Sequence, residues 1–150
     1  MFVRRLARPL LGSIFAVGGL DAVRAPAPKV PRAENVHATT IARSVGLKDA
    51  EQLVRANGAL QVLGALALAA NRMPRLAALG LTASIVPTTL AGHRFWAETD
   101  PATRAAQRLQ FAKNMSILGG LLLAVVDTGG RESVGHRVRR RSGELIHNRT

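Results

Sequence analysis

Charged residues leave four gaps in this chain: residues 9–20, 56–70, 76–92 and 114–126 contain no Asp, Glu, Lys or Arg. Each gap is largely apolar and starts just after a basic side chain, namely Arg8, Arg55, Arg75 and Lys113. None alone reaches the ~20 apolar residues of an ideal membrane span. The flanking cations extend each run, because a long aliphatic stem lies along lipid while its charge reaches the headgroups. The stretch QVLGALALAA is apolar on nearly every face, whereas a soluble bundle needs a polar outer side. The pattern predicts an all-α fold, a transmembrane four-helix bundle over residues 1–128, with spans at about 6–23, 53–70, 75–92 and 110–127.

Local signals refine these elements. The N-terminal run has the basic start and short apolar core of a signal peptide, with a small-x-small site at Ala25-Pro26-Ala27. Pro28 behind that site and the charges of Asp21 and Arg24 favour a retained first helix. Three prolines at 26, 28 and 31 predict an extended start to the following loop. VHATTIARSVGL then reads as a short helix stopped by Gly46. NRMPR at 71–75 is a tight basic turn, with Pro74 in the first turn of the third helix. Pro87 is expected to bend that helix, and Thr88 or Thr89 to satisfy the backbone groups it frees. Phe95 and Trp96 suit a membrane interface. Asp100-Pro101 is an N-cap followed by proline at the first helical position, so the helix from 101 is expected to run on into the fourth span. Gly129-Gly130 is expected to end it, leaving a basic, disordered tail over 129–150.

Four spans put both termini on one side. Arginines crowd residues 4–8, 72–75 and 137–141, which by the positive-inside rule makes that side cytoplasmic and leaves loops 24–52 and 93–108 outside.

Composition narrows the chemistry. Net charge is +12, from 18 Arg and 3 Lys against 9 acidic residues. A basic excess alone suits nucleic acid or anionic lipid, but only five aromatic residues are present and none is tyrosine, so a base-stacking surface is not expected. Cysteine is absent, which removes disulfides and thiolate chemistry from anything this chain does by itself. His37, His93, His136 and His147 lack ligand spacing, so no metal site is expected.

Ionisable and amide groups at a span boundary are functional candidates, normally with a partner. In the expected topology Asp21, Asn57, His93, Lys113 and Asn114 all lie near the outer boundary, with Gln61 one turn from Asn57 on the same face. Asp21 with Lys113 is the first pair this topology suggests. Ser116, Gly120 and Ala124, at i, i+4 and i+8, form a small-residue face for helix packing.

The chain resembles DoxX family membrane proteins. RPLLGSIFAVGGLDAVR, NGALQVLGALALAANRMPRLAAL, IVPTTLAGHRFW and QFAKNMSILGGLLL carry the resemblance, the last most densely. It implies a multi-pass cell-membrane protein of four helices. Family members are linked to membrane redox assemblies: a thiosulfate:quinone oxidoreductase subunit in some archaea, and a thiol-stress complex with superoxide dismutase and a sulfurtransferase in mycobacteria. The resemblance thus implies a non-catalytic subunit that anchors or organises a redox complex. The alternative is an oxidoreductase subunit binding a quinone or other small molecule at the polar cluster. Expected partners are membrane lipid and redox proteins, with a homo-oligomer left open and nucleic acid not expected.

Overall fold

The computed structural model describes residues 2–127, all in helices or the turns between them. The tail expected over 129–150, with its glycine stop, lies outside the described residues. Four long helices dominate: α1 (Phe2–Arg24), α4 (Ala50–Ala69), α5 (Pro74–Gly92) and α6 (Pro101–Val126). Two short ones, α2 (Val30–Ala33) and α3 (Ala38–Ser44), lie in the connection after α1.

The helix ends follow from side-chain chemistry. Asp100 accepts from Thr103 N at 2.7 Å and starts α6, with Pro101 behind it. Asp49 accepts from Gln52 N at 2.8 Å and starts α4 at Ala50, three residues before the expected span. Gln52 in turn accepts from Lys48 N at 3.0 Å. The α4–α5 turn places Asn71 and Met73 in the left-handed region, and Arg72 N donates to Ala67 O at 2.8 Å. Gly46 closes α3 with a φ of 80°. Within α5 the helix continues through Pro87, and Thr88 Oγ1 donates into the turn before it, 2.9 Å from Ser84 O and 3.0 Å from Ile85 O.

One loop expectation is corrected. The three prolines do not hold the chain extended; residues 27–33 form a 3-10 turn (Ala27–Lys29) running into α2. Proline at the start of a short helix costs nothing there, because its missing N–H would have had no partner and its φ already suits a helix.

The closest packing is between α1 and α4; α5 packs on both α4 and α6, while α6 meets α1 more lightly. Phe15, Ala65, Leu68, Ala78, Leu81, Ile85 and Leu121 form the core, with Leu11, Ile117, Leu118 and Ala124 against it. The α1–α4 seam is backbone on backbone. A Cβ built on Gly19 would stand 2.6 Å from Gly58 O, and one on Gly58 2.7 Å from Gly19 O. Lower down the same seam, a Cβ on Gly12 would meet Ala65 O at 3.1 Å. Close approach of this kind holds helices together in lipid, where apolar burial offers little drive.

Three helical segments are long and apolar enough to cross a membrane: Arg5–Arg24, Pro74–Ala97 and Pro101–Val126. α4, expected as a fourth apolar span, is not among them. Gln52, Arg55, Asn57 and Gln61 dilute its first twelve residues. Their presence on a helix in contact with both α1 and α5 leads directly to the candidate site.

Candidate functional site

Asn57 and Gln61 lie one turn apart on α4, both half-buried. Facing them from α5 stands Ser84, which is almost fully buried. Gln61 Nε2 donates to Ser84 Oγ at 2.9 Å, and Ser84 Oγ donates to Asn57 Oδ1 at 2.8 Å. A second link joins α5 to α6: Asn114 Nδ2 donates to the buried Thr89 Oγ1 at 2.9 Å. Five neutral side chains thus tie three helices together. Neutrality matters, because an amide or hydroxyl with a partner is tolerated at membrane depth where an isolated charge is costly. Thr82 Oγ1 is buried without a hydrogen-bond partner among the described residues, and nothing in the structure explains it.

Asn57 and Asn114, singled out from the sequence, both belong to this layer. Asp21 and Lys113 do not, and the structure does not bring them together. Asp21 is exposed and pairs with Lys29 at 2.6 Å. Lys113 is exposed on the outside of α6. The reason is angular: Asn114 turns inward with Ile117, Leu118 and Leu121, and the residue before it on a helix lies about 100° away. His93 sits just past α5, with Nδ1 2.8 Å from Gln107 Oε1 of α6.

Ser116 is exposed, and its hydroxyl donates to Ala112 O within its own helix. Gly120 lies against α1, where an added Cβ would meet Leu11 Cδ1 at 3.3 Å. Ala124 packs at the margin of the core. Gln61, Ser84 and Thr89 are members the sequence reading did not name as site residues. Two amides on one face of α4 need partners, and the hydroxyl residues inside the facing apolar helix are the signal that points to them.

Each end of the helices is closed by polar groups. Beyond the polar layer, Asn35 donates to Ala91 O at 2.9 Å and accepts from Arg94 at 3.0 Å, so the connection after α1 covers the end of α5. Phe95, Trp96 and Phe111 stack edge to face beside it, with ring centroids 5.1–6.0 Å apart. At the opposite end Arg8 of α1 pairs with Asp127, which follows α6, at 3.0 Å and also donates to Asn71. Arg75 of α5 donates to Asp127 O at 3.0 Å and to Val126 O at 3.3 Å. Among the described residues no group of three His, Asp or Glu side chains is placed to hold a metal.

Long apolar helices joined by a buried, uncharged polar layer define a helical membrane protein. The chain belongs to the DoxX family, whose family model matches residues 4–94, more than half of its length. That match covers α1, α4 and α5 and stops before α6, so QFAKNMSILGGLLL, where the sequence resemblance is densest, falls outside it. Comparisons with curated proteins and with solved structures return no match.

Proposed function

We propose that this DoxX family chain is a multi-pass subunit of the cell membrane that anchors or organises a membrane-associated redox complex. In this reading α1, α4, α5 and α6 all cross, as a four-helix bundle with both termini cytoplasmic. The observation that carries it is where the buried polar groups go. Gln61, Ser84, Asn57, Asn114 and Thr89 bond helix to helix, as a scaffold requires. The arginines at Arg5, Arg8, Arg72 and Arg75 share one end, in keeping with a cytoplasmic face there. Mild-detergent purification with identification of co-purifying proteins tests the role. A stoichiometric oxidoreductase or sulfur-transferring partner supports it, and a chain recovered alone from native membranes counts against it. Reporter fusions at Lys29 and Met73 test the topology, since these positions must report opposite sides.

A second reading, an oxidoreductase subunit that binds a quinone or another neutral small molecule, has its own observation. Asn57, Gln61 and Asn114 each use one amide atom in the layer and keep the other uncommitted among the described residues. Such a set offers donors and acceptors without charge. Extraction of a bound quinone with the purified chain, lost on Asn114→Leu, favours this reading over the first.

A further inference from the structure

We infer that the arginine-rich end of the helices is a binding site for the phosphate headgroup of an anionic phospholipid. Among the described residues the clasp there is incomplete in charge. Arg8 is matched by Asp127, but Arg75 donates to the carbonyls of Val126 and Asp127, which neutralise nothing. Arg5, one turn before Arg8 on α1, and Arg72, in the α4–α5 turn, are exposed, and their side chains make no hydrogen bond or ion pair with any described residue. Arg8 bonds both Asn71 and Asp127, so α1, the α4–α5 turn and the end of α6 are held side by side. That brings the flanking Arg5, Arg72 and Arg75 to one end of the molecule. Asp127 is the acidic residue described there; the other six described acids are Asp21, Glu34, Asp49, Glu51, Glu98 and Asp100, all at or beyond the opposite helix ends.

Guanidinium groups suit phosphate because their planar forks donate two parallel hydrogen bonds to its oxygens. A second observation selects lipid over a free anion. Beside these arginines lie exposed apolar side chains: Leu10 and Leu76 on the span side, 72% and 63% exposed, and Met73 in the turn between Arg72 and Arg75, 70% exposed. A ligand with an anionic head and apolar tails satisfies both sets at once, and inorganic phosphate satisfies only one.

The test is thermal unfolding of the full chain in a neutral detergent, with phosphatidylglycerol or phosphatidylcholine added at equal concentration. Phosphatidylglycerol should raise Tm more than phosphatidylcholine, and the excess should shrink at high salt. In the double variant Arg5→Gln/Arg72→Gln the excess should fall by half or more. Arg43→Gln/Arg108→Gln, which removes two exposed arginines from the other end, should keep it. Should the double variant fail to fold, Arg72→Gln alone, at an exposed turn position, must still reduce the excess. Equal shifts from the two lipids, or an undiminished excess in the Arg72 variant, overturn the site. A shift of full size from inorganic phosphate overturns its assignment to lipid.

Discussion

Gly19 and Gly58 press their backbones together so closely that a methyl group on either would stand under 3 Å from the other's carbonyl oxygen. Such a contact predicts a specific failure. Gly→Ala in a helix normally stabilises it by ~1 kcal/mol. At Gly58 that gain should be reversed, because overpacking costs ~1–3 kcal/mol. Gly58→Ala should lower Tm in detergent, and Gly119→Ala, where an added Cβ meets nothing within 4 Å, should not. Equal effects at the two positions would show that the seam is not tight.

The polar layer should behave as a set of couplings. Asn114→Ala and Thr89→Val each remove one side of a single hydrogen bond. Interhelical bonds of this kind are worth ~0.6 kcal/mol on average and at most ~2. A double-mutant cycle on detergent stability should return a coupling in that range. Ser84→Ala cuts two bonds at once and should destabilise more than either single change in the cycle.

Two pairs of opposite charges are expected to differ sharply. Asp21 and Lys113 should show additive effects in a cycle of Asp21→Asn and Lys113→Met, since Asp21 bonds Lys29 and Lys113 faces outward. The coupling of Arg8 to Asp127 should exceed the ~1 kcal/mol ceiling of exposed pairs, as their side chains are only 12% and 22% exposed. Coupling between Asp21 and Lys113 would put the lysine back inside the helices.

Acid should loosen the start of α6. Hydrogen bonds from the backbone N–H and then the hydroxyl of Thr103 hold the Asp100 carboxyl below its ordinary range. A carboxyl depressed in the folded state stabilises above its unfolded value, and that contribution fades as pH falls through the folded value. Protection of the Thr103 amide against hydrogen exchange should therefore drop at acid pH. Asp100→Asn, which keeps a capping oxygen without the charge, should remove this pH dependence.

Much of the helix layout was legible because it rests on local chemistry. Asp100-Pro101 marks the start of α6, Pro74 the start of α5 and Gly46 the end of α3. Asp49 carries the same kind of signal, yet the apolar run that begins at Ala56 drew the expected start inward. The pairing of faces was less legible. Gly12, Gly18 and Gly19 crowd α1, and which of them meets α4 depends on the partner's register as well as on their own spacing. The side taken by Lys113 could have been read: Asn114, Ile117, Leu118 and Leu121 share one face at helical spacing, and the lysine is off it.

The polar closures at both ends also set a ruler. Arg75 to Arg94 spans 19 residues and Arg8 to Asp21 spans 13, so at ~1.5 Å per residue the charge-free band is roughly 20–28 Å thick. Typical hydrocarbon cores are ~30 Å. A protein with this band suffers hydrophobic mismatch in an average bilayer and must thin it or let its arginines stretch. Reconstituted into lipids of graded chain length, it should be most stable in the shorter-chain members of the series; a maximum in the longest would mean that the snorkelling side chains, not the helices, set its depth.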